Sequence, residues 1–142
     1  PEVLEEIEVL FVNDGSKDGS ADIARAYEKK YPQTVVFVDK ENGGHGSTIN
    51  VGIEKAQGTY FKVLDSDDWV NIGDFIEFIK RLKEETADAV ICDYRKEHVY
   101  NGKSEYFEYK DLEDGKKYNL NEIDLNILHG EYFMMATTTY RT

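Results

Sequence analysis

Residues 8–16 read EVLFVNDGS, a short apolar run that ends in a polar turn. Such a run, closed by Asn, Asp, Gly and Ser, predicts a buried β-strand over Glu8–Val12. The segment 20–31, SADIARAYEKKY, then places apolar side chains at helical spacing, and either Asp18 or Ser20 could cap its first turn. These residues therefore predict a strand, a turn and a helix in succession.

The alternation of strand and helix continues over the next eighty residues. Further strands are predicted over Thr34–Val38, Tyr60–Leu64 and Ala89–Tyr94. A helix is predicted over Ser47–Gln57, and another is indicated by the apolar stripe of Phe75, Ile76, Ile79 and Leu82. Strands that alternate with helices indicate βαβ units, so the predicted fold class is α/β with a mostly parallel sheet flanked by helices.

The pattern changes after Tyr94. Two β-prone runs flank Asn101-Gly102, which predicts a C-terminal β-hairpin with a two-residue turn. Residues 119–130, NLNEIDLNILHG, predict a short helix that ends at Gly130. The final stretch 134–142, MMATTTYRT, is β-prone.

Composition and charge restrict the class of protein. The 142 residues include 40% hydrophobic and 32% charged residues, which predicts a single globular domain. The net charge of -12 argues against nucleic acid partners and against a basic membrane-binding patch. No apolar run approaches the roughly 20 residues of a membrane span. A single cysteine, Cys92, excludes an internal disulfide and fits a reducing compartment.

Polar residues follow three of the predicted strands directly. Asn13 and Asp14 follow the first, Asp39 and a glycine-rich loop follow the second, and the DSDD stretch of residues 65–68 follows the third. An α/β sheet binds its ligand beyond the carboxyl ends of its strands. These groups are therefore the candidate binding residues.

The DSDD stretch holds three carboxylates directly before Trp69. Like charges this close destabilise a fold unless something neutralises them, and Mg²⁺ or Mn²⁺ prefers carboxylate oxygens shared with substrate phosphates. The alternative is structural: Asp67 or Asp68 caps the next helix, and Asp65 is merely solvated. Both interpretations stay open from these residues alone.

The two other polar segments also have two interpretations each. Asp14 could accept hydrogen bonds from a nucleobase or a ribose, or it could belong to an ordinary strand-to-helix turn. The loop 41–47, ENGGHGS, could bring backbone N–H groups and a helix N-terminus to a phosphate, or it could be a plain loop. It matches neither a dinucleotide-binding fingerprint nor a P-loop. His45 could contact a phosphate or a metal, or simply be exposed.

Taken in order, VNDGSKDGS at residues 12–20 and ENGGHGSTINVGIEKAQGTYFKVLDSDDW at residues 41–69 resemble the family 2 glycosyltransferases. The resemblance covers roughly Glu8–Tyr94. It implies a Rossmann-like nucleotide-diphospho-sugar transferase fold. It also implies an enzyme that moves a sugar from a nucleotide-diphospho-sugar donor, UDP-linked, to an acceptor hydroxyl with inversion and with Mg²⁺ or Mn²⁺ as cofactor.

The resemblance also implies the roles of individual residues. The expected metal ligands are Asp65, Asp67 and Asp68. The expected donor nucleotide-binding residues are Asn13, Asp14, Gly15, Ser16, Asn42, Gly44, His45 and Asp65. No residue matches the family's catalytic base, so none is assigned.

Two positions depart from the family's pattern. Asn13 stands where many members carry Asp. Ile49 stands where many carry Arg or Lys before the residue that matches Asn50, so a cationic contact to the donor is lost or is taken over by His45 or Lys40.

The resemblance further implies the organisation and setting of the chain. We expect a single catalytic domain over residues 1–142, truncated at both ends, with the nucleotide-sugar half over 8–94 and the start of the acceptor side over 95–142. The expected partners are a nucleotide-sugar donor and a carbohydrate or lipid-linked acceptor, with a homodimer left open. The expected location is cytoplasmic, with the full-length protein peripheral at the inner face of the membrane.

Two other functions remain from the sequence. A nucleotidyltransferase of the sugar-nucleotide pyrophosphorylase kind would need a basic glycine-rich loop after the first strand, whereas NDGSKDGS has one lysine and two acids. A non-catalytic nucleotide-sugar binding module would share the binding residues. Nucleotide binding alone does not separate the module from a transferase, whereas turnover of a donor sugar does.

Overall fold

The computed structural model of the chain describes residues 3–121 and 133–142. The chain divides into two compact units. The first comprises the residues up to Phe61, Ser66–Glu85 and Thr142, and the second comprises Lys62–Asp65 and Thr86–Arg141.

The first unit is built on a βαβ motif. Strand β1 (Val9–Asp14) leads through helix α1 (Ser20–Lys30) to strand β2 (Val35–Lys40), and helices α2 (His45–Lys55) and α3 (Ile72–Leu82) follow. The two strands pair in parallel, with Cα partners running from Val9 with Val35 to Asp14 with Lys40. The α/β class with parallel strands flanked by helices is therefore confirmed.

The side chains of β1 are less buried than the sequence predicts. Val9 and Phe11 are 41% and 39% exposed, although both belong to the run predicted as a buried strand. Alternate residues of a strand share one face, and this face of β1 lines an open apolar groove of about 320 Å³ together with Tyr27 of α1. Ala24, on α1, is completely buried.

The second unit contains strands from distant parts of the chain. Its three-stranded sheet has the order β3-β7-β4, in which β3 (Tyr60–Lys62) enters the unit at Lys62, β4 is Ala89–Ile91 and β7 is Thr138–Arg141. β4 and β7 are antiparallel, with Val90 opposite Thr139. The mostly parallel arrangement therefore ends here, because the C-terminal β-prone stretch, rather than a βαβ crossover, supplies the neighbour of β4.

Two predicted strands are shorter than expected. β3 ends at Lys62 rather than at Leu64, and β4 ends at Ile91 rather than at Tyr94. Tyr94 instead begins the predicted C-terminal hairpin, which consists of β5 (Tyr94–His98) and β6 (Lys103–Phe107) in antiparallel pairing. The hairpin brings the rings of Tyr94 and Phe107 into a stack with centroids 4.7 Å apart.

The turn of the hairpin has four residues, 99–102, rather than the two predicted. The carbonyl oxygen of His98 accepts from the N–H groups of both Asn101 and Gly102, at 3.1 and 2.9 Å. Gly102 has a φ of 66°, a conformation that glycine adopts without steric cost. The loop therefore contains two residues more than the predicted Asn101-Gly102 pair.

Most of the predicted helix over residues 119–130 lies outside the described residues. The β-prone C-terminal stretch forms a 3₁₀ helix over Met135–Thr137 and then β7. Across residues 3–121 and 133–142, no helix has both the length and the apolar character needed to cross a membrane.

Candidate functional site

The carboxylate of Asp14, at the end of β1, holds the glycine-rich loop that follows β2. Lys40 Nζ donates to Asp14 Oδ1, and the amide of Gly43 donates to the same oxygen at 2.9 Å. The amide of Gly44 donates to Asp14 Oδ2, also at 2.9 Å. The sequence predicted the position of this carboxylate but not its three donors.

The surroundings of Asp14 stabilise its ionised form. The hydrogen bond from Lys40, and after it the amide of Gly43, keep the pKa of the Asp14 carboxyl below its usual value, although desolvation acts in the opposite direction. The side chains of Asp14 and Lys40 are only 23% and 18% exposed. Asp14 is therefore a charged acceptor at neutral pH.

Gly15 allows the turn after β1 to approach the glycine-rich loop. Its φ is 72°, and a Cβ atom at this position would lie 2.9 Å from the backbone nitrogen of Asn42. Any larger residue would meet both the backbone strain and this contact. The prediction that Gly15 and Asn42 belong to one site is consistent with this contact.

Helix α2 begins directly after the glycine-rich loop. Gly44 is its N-cap residue, with a φ of 82°, and the carbonyl oxygen of Gly44 accepts from the hydroxyl of Ser47 at 2.9 Å. His45 is the first helical residue and is exposed. The first amides of a helix favour an anion. The amides of Gly43 and Gly44 are already bonded to Asp14, and that of Ser47 to the carbonyl oxygen of Gly44 at 3.0 Å, so the phosphate contact stays a prediction.

Asn13 is 5% exposed and has defined partners for both ends of its carboxamide. Its Nδ2 donates to Asp39 Oδ1 at 2.7 Å, and its Oδ1 accepts from the amide of Ser16 at 3.3 Å. Asp39 Oδ2 in turn accepts from Arg25 Nη2 at 2.9 Å. Sequence reasoning placed Asp39 after a strand but gave neither Asp39 nor Arg25 a role.

The acidic stretch is divided between the two units, with Asp65 in the second and Asp67 and Asp68 in the first. Asp65 is partly exposed and lies in the second unit. In the first unit, Asp67 and Asp68 are exposed, and the neighbouring Trp69 is 66% exposed. Helix α3 begins after this stretch, at Ile72.

The N-cap of α3 decides one of the alternatives left by the sequence. The side chain of Asn71 accepts from the amides of Gly73 and Asp74, at 2.9 and 3.3 Å. The interpretation that Asp67 or Asp68 caps this helix is therefore wrong. Asp67 and Asp68 are exposed, so water can solvate their carboxylates.

Asp65, Asp67 and Asp68 are the expected metal ligands of the acidic stretch. Within residues 3–121 and 133–142, no group of three His, Cys, Asp or Glu side chains is arranged as a metal cage. Mg²⁺ is commonly held by one or two carboxylates and completed by water and substrate phosphates. A metal ion at the acidic stretch therefore stays a prediction.

Lys62, in the second unit, is a residue that sequence reasoning missed. Its Nζ donates to the carbonyl oxygen of Ala136 at 2.5 Å. Burial lowers the pKa of Lys62, and the nearby Cys92 acts in the opposite direction. Only the occurrence of a charged residue within an apolar strand could have pointed to it.

Similarity to known proteins identifies the family of this chain. The family model described as glycosyl transferase family 2 matches residues 3–138. A relative named as glycosyltransferase EpsH, from Bacillus subtilis (strain 168), is 40% identical over 103 residues. These are 72% of this chain and 29% of EpsH. The minor teichoic acid biosynthesis protein GgaB of the same organism is 44% identical over 72 residues, 51% of this chain and 8% of GgaB.

A eukaryotic relative carries the same similarity. The dolichyl-phosphate beta-glucosyltransferase ALG5C of Trichomonas vaginalis is 34% identical over 80 residues, 56% of this chain and 24% of that protein. This chain thus spans less than a third of the length of each of these relatives. Because the family model covers nearly all of its residues, the chain belongs to glycosyl transferase family 2.

Proposed function

We propose that this chain is the donor-binding part of a glycosyltransferase that takes its sugar from a uridine-diphosphate-linked donor. Membership of family 2 supports sugar transfer as the activity. The observation that carries the choice of nucleoside is the set of donors around Asp14. A carboxylate offers about four acceptor positions, two on each oxygen.

Among the residues that the structure describes, three donors fill acceptor positions of Asp14. Lys40 and Gly43 occupy Oδ1, and Gly44 occupies one position on Oδ2. With these donors in place, one position on Oδ2 is left for a ligand. Uracil presents a single ring N–H donor, whereas guanine presents adjacent N–H groups that would need both oxygens. The arrangement therefore favours a uridine nucleotide over a guanosine nucleotide.

The start of α2 and a cation held by the acidic stretch would supply the complementary charges for the diphosphate. Amides at the start of α2 favour an anion. Asp67 and Asp68, which both belong to the first unit, would hold Mg²⁺ or Mn²⁺. When bound, that cation would neutralise the negative charge on the diphosphate leaving group.

The reaction assigned to this site is a substitution at the anomeric carbon of the donor. The acceptor hydroxyl oxygen forms the new bond, the bond from that carbon to the phosphate oxygen breaks, and the diphosphate leaves with the electron pair. Attack opposite the leaving group inverts the configuration. The hydroxyl proton passes to a base, for which no residue of this chain is assigned.

The function is tested by nucleotide titration and by donor turnover. In calorimetry with Mn²⁺ present, UDP should bind at least about tenfold more tightly than GDP, a difference of roughly 1.4 kcal/mol. Asp14→Asn should weaken UDP binding about tenfold or more, because the amide repels the Gly44 N–H or the Lys40 ammonium wherever its NH₂ group points.

The matched control is Asp18→Asn, an exposed acid in the same loop, which should leave UDP binding unchanged. Equal affinity for UDP and GDP would contradict the choice of nucleoside. Release of UDP from a UDP-sugar in the presence of an acceptor separates a transferase from a non-catalytic binding module.

A further inference from the structure

Three side chains of the first unit form a connected set that leads to the Asp14 turn. Asn13 and Asp39 are opposite one another in the parallel pairing of β1 and β2, and their side chains hydrogen-bond at 2.7 Å. Arg25, on α1, holds the second oxygen of Asp39 at 2.9 Å. The set ends at the amide of Ser16, which donates to Asn13 Oδ1.

The carboxamide of Asn13 can adopt only one orientation in this set. Rotated by 180°, its NH₂ group would face the N–H of Ser16 and its oxygen would face the carboxylate of Asp39. Both contacts would be repulsive, and Asn13 is buried, so water could not relieve them. Asp39 therefore fixes the direction of Asn13 Oδ1, which accepts a hydrogen bond from the amide of Ser16.

Arg25 is itself held in place. Its guanidinium lies over the ring of Phe37, 4.6 Å from the centroid, and 3.7 Å from Asp22 one turn earlier on α1. The side chains of Arg25 and Asp39 are each about half exposed, so their attraction alone contributes little to stability. The significance of the pair lies in orienting Asp39, which orients Asn13.

We propose that Arg25, Asp39 and Asn13 are positioning residues that set the Asp14-Gly15-Ser16 turn for the donor nucleoside. This inference rests on the proposed function for its substrate. Asn13 acts on the turn through Ser16 and does not itself touch the nucleotide. A carboxylate at position 13 would confront Asp39, to which the Asn13 amide donates.

The decisive experiment exchanges the two side chains. Asn13→Asp alone places two carboxylates in contact and should weaken UDP binding about tenfold in calorimetry with Mn²⁺, with a fall in melting temperature of roughly 3 °C or more. The double exchange Asn13→Asp with Asp39→Asn restores every hydrogen bond. The amide at position 39 then donates to the carboxylate at position 13, and its oxygen accepts from Arg25. Its UDP affinity should return to within about twofold of the wild type.

Two further variants test the outer part of the set. Arg25→Met should weaken UDP binding by roughly threefold and shift the Ser16 amide resonance in the NMR spectrum. Asp39→Ala should shift the same resonance further. The matched control is Lys29→Gln, which changes an exposed cation of the same helix and should move neither signal.

The outcomes separate this proposal from the proposed function. A double exchange that binds UDP as weakly as Asn13→Asp would mean that restoring the hydrogen bonds does not restore binding, which overturns the positioning role. An unmoved Ser16 resonance in Arg25→Met and Asp39→Ala would do the same. If the wild type binds no nucleotide with any divalent ion, the proposed function fails. The Ser16 resonance and non-additive melting temperatures in the exchange cycle then still decide whether the set positions the turn.

Discussion

The carboxylate at the end of β1 and the carboxylates of the acidic stretch differ in burial and in hydrogen-bond partners. Asp14 is mostly buried and accepts from one ammonium and two amides. Asp67 and Asp68 are exposed, and the helix that follows takes its cap from Asn71 instead. Folding therefore neutralises the first carboxylate in advance, whereas the other two are neutralised by water and, in the proposed function, by the ligand.

The largest expected effect tests the exposed half of this comparison. Asp67→Asn should reduce UDP affinity in the presence of Mn²⁺ by roughly 10- to 100-fold, because a charged metal ligand is lost. Without Mn²⁺ the two proteins should bind alike, and their unfolding free energies should agree within about 0.5 kcal/mol. Titration calorimetry and urea unfolding measure these quantities.

The control for that variant is Glu84→Gln, an exposed acid of the same unit, which should leave both affinities unchanged. If Mn²⁺ raises the UDP affinity of Asp67→Asn as much as that of the wild type, Asp67 is not a metal ligand.

A second prediction concerns the close contact beside Asp14. Gly15→Ala should lower the unfolding free energy by roughly 2 kcal/mol, because alanine is strained at a φ of 72° and its Cβ would meet Asn42. Gly102→Ala isolates the strain, since Gly102 also has a positive φ but no atom of the described residues lies within 4 Å of its Cβ position. Gly19→Ala, with a φ of -74° and open space, has neither the strain nor the contact and should lose less than Gly15→Ala, although Gly19 is the N-cap residue of α1.

Urea unfolding of the three glycine variants ranks them directly. Equal losses in Gly15→Ala and Gly102→Ala would mean that the contact with Asn42 adds nothing to the strain.

A third prediction concerns which side chain caps α3, Asn71 or the acidic stretch. Asn71→Ala should cost about 1 kcal/mol of unfolding free energy, since two helix amides lose their acceptor. Asp68→Ala should change stability by less than about 0.5 kcal/mol. A larger loss in Asp68→Ala than in Asn71→Ala would restore the capping role to the acidic stretch.

The smallest expected effect is a difference in acid stability. Because folding lowers the pKa of Asp14, its ionised form stabilises the protein above the unfolded pKa, and this contribution is lost as the pH falls through the lower folded value. Between about pH 6 and about pH 2, wild-type stability should therefore fall more steeply than that of Asp14→Asn. Urea midpoints at a series of pH values measure the slopes, and parallel curves would contradict the prediction.

Local patterns predicted the elements of the first unit closely. The apolar runs and the helical spacing of residues 20–31 predicted β1, α1 and β2, because both signals lie in neighbouring residues. The position of Asp14 after β1 followed from the same pattern. The three donors to Asp14 did not, since they lie 26 to 30 residues away and depend on how two loops meet.

The features that escaped prediction depend on distant pairing or on competition between side chains. The antiparallel neighbour of β4 comes from residues after 137, which local periodicity cannot connect. Asn71 capped α3 although Asp67 and Asp68 were the obvious acidic candidates, because it stands directly before the helical residues. The link from Arg25 to Asn13 requires the register of β1 and β2, which the sequence leaves unspecified.

The strand order of the second unit also bears on how the polypeptide assembles during synthesis. The βαβ motif of the first unit is complete once residue 40 has left the ribosome, and its pairing spans a single helix. Strand β7, in contrast, can pair with β4 only after residue 141 has been synthesised. The hydrogen bond from Lys62 to the carbonyl oxygen of Ala136 likewise forms only after residue 136. Since distant contacts form slowly, β3 and β4 stay without their shared neighbour until β7 has been synthesised, so mutations in β7 should reduce the yield of folded protein.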